Sequence, residues 1–107
     1  MSFNKSRAAD REYVIHTDAG HAWVAVPLKT LVALACTRNI SPYSYIKGKT
    51  AYLEEDCDFG VFVKAFELTF SKKPAFRYAK HYDGLSPIRS CERFTMEKCL
   101  RAVMQKD

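Results

Sequence analysis

The sequence predicts a single α+β domain: an antiparallel sheet of hairpins with two or three helices, in the order ββαββαβα. Three observations lead there. Two runs rich in β-branched and aromatic residues, 11–17 (REYVIHT) and 21–26 (HAWVAV), flank the turn signal D-A-G. A second pair, 43–46 (YSYI) and 50–54 (TAYLE), flanks K-G-K. Apolar residues recur at helical spacing after Pro27, over 57–71 and over 95–105. A chain of 107 residues suits one such domain.

The elements follow in order. Residues 1–10 (MSFNKSRAAD) read as a flexible polar lead-in to a domain spanning 11–107. Pro27 fits the first turn of a helix, where its missing N–H costs nothing. Leu28, Leu31, Val32 and Ala35 then share one helical face, and the helix stops near Thr37-Arg38-Asn39, before Pro42. In the second hairpin Tyr43, Tyr45 and Tyr52 are set to pair across strands. The strongest helix spans 57–71. Phe59, Phe62, Phe66 and Phe70 form one stripe, and Val61, Ala65 and Leu68 a second, so it is expected to be buried over most of its circumference. Residues 75–82 (AFRYAKHY) alternate apolar and basic types as a strand with one wet face. Thr95 is the expected N-cap of the last helix, with Met96, Cys99, Leu100 and Val103 on its apolar side.

Composition narrows the class. Hydrophobic residues at 48% and charged residues at 27% are ordinary for a globular domain. No apolar run approaches the ~20 residues of a membrane span. The start, MSFNKSRAADRE, lacks the apolar core of a secretory signal, so a cytoplasmic protein is expected. The net charge of +5 is one-sided. Residues 1–58 hold seven Lys/Arg against seven Asp/Glu, and residues 59–107 hold ten against five. Such a field attracts an acidic partner: nucleic acid, an acidic protein face or a nucleoprotein. The four cysteines, Cys36, Cys57, Cys91 and Cys99, contain no C-x-x-C pair and are expected as free thiols. Cys36 and Cys57 sit among apolar residues and read as small core fillers.

Four groups bear on chemistry. In His16-Thr17-Asp18-Ala19-Gly20-His21, a four-residue loop would set the two imidazoles facing each other with Asp18 above, as in a metal-dependent enzyme. The plainer reading is an Asp18 side-chain bond within a turn, and no third ligand is placed by spacing, so no metal is assigned. The acidic cluster Glu54, Glu55, Asp56 and Asp58 suits a helix N-terminus and equally a negative knob for a partner's basic groove. The basic ridge of Lys72, Lys73, Arg77, Lys80, Arg89, Arg93, Lys98 and Arg101, interleaved with Tyr78, His81 and Tyr82, suits phosphate contact and base stacking, or an ordinary solvated surface. Cys91 with His81 is the one nucleophile–base pair the sequence offers, and no flanking signature supports it. There is no Gly-rich phosphate loop and no H-E-x-x-H, so no cofactor is implied.

Tyr13–Pro27 (YVIHTDAGHAWVAVP), Ile40–Asp58 (ISPYSYIKGKTAYLEEDCD) and Ile88-Arg89-Ser90 resemble a group of small proteins carried by bacteriophages and mobile elements. The shared pattern is an H-x-D-x-G-H-x-W hairpin followed by Y-S-Y and Y-L-E-E-D. The resemblance covers about half the chain and lends no assigned activity. Small phage proteins of this kind are often stoichiometric inhibitors of host defence, as anti-CRISPR proteins are. The resulting expectation is a non-catalytic phage protein in the cytoplasm of a bacterial host. It would occlude a host protein or ribonucleoprotein through Glu54, Glu55, Asp56, Tyr45 and Tyr52. The alternative is a nucleic-acid-binding accessory protein using Lys72, Lys73, Arg77, Lys80, Arg89 and Arg93.

Overall fold

The computed structural model describes residues 3–105. Six strands form one sheet: β1 (Glu12–Thr17), β2 (Ala22–Pro27), β3 (Tyr45–Lys47), β4 (Thr50–Glu54), β5 (Ala75–Tyr78) and β6 (Glu92–Arg93). Their spatial order is β5-β1-β2-β4-β3-β6. Four helices accompany it: α1 (Lys5–Asp10), α2 (Leu28–Ala33), α3 (Phe59–Phe70) and α4 (Met96–Met104). Tight 3₁₀ turns at Thr37–Asn39 and Pro87–Ser90 complete the α+β fold. The two hairpins stand where the sequence puts them, joined by the antiparallel pairing of β2 with β4.

Strand alternation sorts the side chains between two faces. Tyr13 and Ile15, Val24 and Val26, Ile46, Ala51 and Leu53 turn to one face and meet Phe62 and Phe66 of α3 in the core. The Tyr13 ring packs edge-on against Phe62 at 5.0 Å and Phe66 at 6.0 Å. Phe94 and Cys99 close the core from the C-terminal side. In the β3–β4 turn Gly48 takes φ +58°, a conformation that favours glycine, and the next residue, Lys49, reaches α4. Its ammonium donates to Ala102 O at 2.6 Å and Gln105 O at 3.0 Å, placing a cation at that helix's negative end.

The structure corrects six expectations. Residues 5–10 are a helix, because Asn4 caps it and Ala8 is buried where the Tyr13 hydroxyl donates to its carbonyl at 2.7 Å. The sheet is mixed rather than purely antiparallel, since β5 lies parallel to β1. The described residues form four helices, and a short β6 pairs with β3. α3 is buried along one side only: Phe62 and Phe66 are inaccessible, while Leu68 of the second stripe is 77% exposed because no element covers it. The predicted strand 75–82 leaves the ladder after Tyr78, which is itself exposed at the sheet's edge. Cys36 is buried as expected, but Cys57 sits outward in the turn before α3 and is exposed.

Phe66 touches Tyr13, Phe62 and Phe70 and has no exposed surface. Phe66→Ala is expected to destabilise by ~3–5 kcal/mol. Chemical denaturation checks this, and a midpoint equal to that of wild type would contradict the packing described.

Candidate binding surface

The second face of the sheet carries Val14, His16, Trp23, Ala25, Tyr45 and Tyr52, a set with more polar and aromatic character. Residues 79–91 cross it as a strap. Two backbone bonds start the strap beside β1: Ala79 N–H to Ile15 O at 2.9 Å and Tyr82 N–H to Thr17 O at 3.0 Å. Its far end is pinned by Asp18, which is 5% exposed. Arg89 binds the carboxylate with a two-pronged fork, Nε to Oδ2 at 2.7 Å and Nη2 to Oδ1 at 3.0 Å. The backbone N–H groups of Gly20, His21 and Ser86 donate to the same carboxylate at 2.8–2.9 Å. Gly20 leaves room there: a Cβ would lie 3.1 Å from Arg89 Nη2, a tight contact that the guanidinium would have to yield to. The Arg89 guanidinium holds the Asp18 carboxyl far below the usual carboxylate range. Burial opposes this, and the backbone donors reinforce it.

The turn reading of Asp18 thus describes its bonds, with a cation added from residue 89. The facing-histidine arrangement does not form. The β1–β2 register sets His16 opposite Trp23, and Asp18 is engaged by Arg89. His21 instead approaches Glu55, Nδ1 to Oε2 at 3.6 Å. Among the described residues no three His, Cys, Asp or Glu side chains gather as a metal site requires. His81 meets the Thr17 hydroxyl at 2.8 Å, whereas the Cys91 thiol lies 3.9 Å from Pro87 O.

The acidic cluster divides. Glu54 is buried and closes the turn after β4, accepting from Asp56 N–H at 2.6 Å and Cys57 N–H at 3.1 Å. Asp58 is also buried. It stands at the N-cap of α3 without a side-chain capping bond. Its carboxylate accepts from Ser41 N–H at 3.0 Å, Ser41 Oγ at 2.7 Å and the Ser44 hydroxyl. These two carboxylates therefore serve the β4–α3 corner rather than a partner. Glu55 accepts from Ala22 N–H at 2.7 Å, and Asp56 is exposed.

The basic ridge divides too. Lys72 pairs with Asp10 at 2.7 Å on the N-terminal side, Arg89 belongs to Asp18, and Arg101 pairs with Glu97. Arg93 lies over the Tyr45 ring at 4.8 Å, and Arg89 over Trp23 at 5.6 Å. Lys73, Arg77 and Lys80 remain exposed.

The strap leaves a cleft on each side. The first, of about 460 Å³, is lined by Trp23, Tyr43, Tyr45, Asp56, Arg89 and Arg93, with His21, Glu54 and Cys57 around it. Tyr45 meets Trp23 edge-on at 6.3 Å, and Tyr43 is 65% exposed. The second, of about 290 Å³, contains His16, Tyr52, Lys47 and Lys80. Tyr52, grouped by sequence with Tyr45, therefore opens to the opposite side of the strap. The sequence reading missed Tyr43, Trp23 and the pairing of Asp18 with Arg89. Asp18 and Arg89 lie 71 residues apart, and no local signal in the H-x-D or I-R-S segment brings them together. Comparison with family models, curated proteins and solved structures returns no match to this chain. No helix among the described residues is long and apolar enough to cross a membrane.

The Asp18–Arg89 pair sets a pH dependence. A depressed carboxyl contributes stability that is full above its unfolded value, about pH 4, and is lost as pH falls below it. Arg89→Ala is expected to lower the thermal midpoint by more than about 5 °C at pH 7. It should also flatten the decline of stability below about pH 4. Thermal melts across pH check both, and a slope unchanged from wild type would refute the assignment.

Proposed function

We propose that this chain is a non-catalytic binding protein that occludes a partner protein through the first cleft. The observation that carries this reading is the cluster of Tyr43, Tyr45, Trp23 and Arg93 at the cleft, with the guanidinium stacked on the Tyr45 ring. Tyr, Trp and Arg are the side chains that dominate binding energy at protein interfaces. Ring and guanidinium hold each other in place, so less side-chain entropy is lost on association. Asp56 lines the cleft, and the exposed Glu55 precedes it, held on Ala22 and His21, giving an acidic rim. The acidic knob expected from sequence is narrower here, because Glu54 and Asp58 are spent inside the fold. The chain exposes 6,671 Å², of which one standard interface takes ~800 Å².

The resemblance to small phage-borne proteins supports a host-defence protein or ribonucleoprotein, of the CRISPR-effector kind, as the partner. It also supports the cytoplasm of the bacterial host as the place of action. An acidic rim beside aromatic anchors fits a groove that normally holds nucleic acid. Duplex DNA itself is expected to bind only nonspecifically, more weakly than ~1 μM at physiological salt.

Titrating purified protein into a purified effector's DNA-cleavage assay tests the reading. Inhibition should saturate at molar equivalence. Inhibition at far below equivalence would point to turnover and overturn it. Within that assay, Tyr43→Ala with Arg93→Glu is expected to weaken inhibition by ~2–4 kcal/mol without changing the thermal midpoint, since both side chains are exposed.

A further inference from the structure

The second cleft differs from the first in charge. It lies between the sheet and the strap, with Ile88 of the strap buried at its floor. Lys47, at the end of β3, and Lys80, at the start of the strap, both line it. Neither lysine has an ion-pair partner among the described residues, and no carboxylate lines the cleft. Two cations without counter-ions beside one concavity call for a ligand bearing more than one negative charge. Tyr52 and Tyr82 supply aromatic surface in the same cleft, with Tyr82 47% exposed. His16 stands edge-on to Tyr52 at 5.8 Å. Burial, followed by the Arg77 charge, lowers the His16 pKa. Its ring is therefore neutral at pH 7, with one nitrogen to donate and one to accept. The volume of about 290 Å³ is near the lower bound of small-molecule sites, ~300–1,000 Å³.

We propose that this cleft binds a flat ring carrying a phosphate, of nucleoside monophosphate size. Lys47 and Lys80 hold the phosphate, and Tyr52 and Tyr82 hold the ring against Ile88. The same chemistry is offered by a free nucleotide and by the phosphorylated end of a single strand. This site is independent of the first cleft and of the partner proposed for it.

Calorimetric titration with adenosine monophosphate, inorganic phosphate and adenosine tests the proposal. The monophosphate should bind at one site per chain and more tightly than either fragment. Lys47→Ala with Lys80→Ala should weaken it at least ~10-fold, and Tyr52→Ala with Tyr82→Ala should reduce it to the level of inorganic phosphate. Arg93→Ala, in the first cleft, should leave it unchanged. Amide shifts in an NMR titration should fall on residues 80–91 rather than 41–45. A 5′-phosphorylated oligonucleotide that binds more tightly than the monophosphate identifies a strand end as the source; weaker binding identifies the free nucleotide. Absence of saturable binding to all four common monophosphates at ~1 mM overturns the proposal. So does an affinity indifferent to the two lysines, or equal affinity for the monophosphate and inorganic phosphate.

Discussion

The second sheet face takes its shape from one buried carboxylate. Asp18 gathers a guanidinium fork and three backbone donors from two segments far apart in sequence. A buried carboxylate left without these partners is strongly unfavourable, so the hairpin turn and the strap form together or not at all. Arg89, once fixed, lies over Trp23, and Ser86 turns the chain so that Ile88 is buried. Both clefts are by-products of that clamp. A sheet face that would otherwise be open is divided into a mixed acidic and aromatic half and a basic and aromatic half.

A second carboxylate plays a comparable part in the corner that follows β4. Asp58 ties Ser41 and Ser44 to the start of α3, and Ser44 Oγ accepts from Glu54 N–H at 2.9 Å. This network fixes the loop that presents Tyr43 and Tyr45. Tyr43 therefore stands on a loop braced by buried hydrogen bonds, beside Tyr45 and Trp23 on strands, and a rigid anchor loses little entropy on meeting a partner.

The hairpins, their turns and α3 are legible in the sequence because they rest on local signals: alternation, D-A-G, K-G-K and the Phe59–Phe70 spacing. α1 was not legible, because the segment is polar and its anchor, Ala8 buried against Tyr13, is a tertiary contact. The roles of Glu54 and Asp58 were not legible. A carboxylate before a helix reads as a cap, and only the position of Ser41 and Ser44 shows where Asp58 actually bonds. Burial around α3 was overstated because an apolar stripe shows which side chains dislike water, not which of them another element covers. The division of the basic ridge between two sides of the molecule likewise follows from tertiary placement. Arg89 and Lys80 are nine residues apart, yet one serves the clamp and the other the second cleft.

The parallel pairing of β1 with β5 has a consequence for how the chain assembles. The β1–β2 hairpin needs only residues 12–27, and β4 can join β2 soon afterwards. β5 begins at Ala75 and lies beside Glu12, so its pairing closes a loop of about sixty residues. During synthesis the outer edge of β1 is open until the ribosome has released the whole middle of the protein. Its unpaired N–H and C=O groups are then available to any other extended strand. Two neighbouring copies on one message are most exposed to mispairing in that interval.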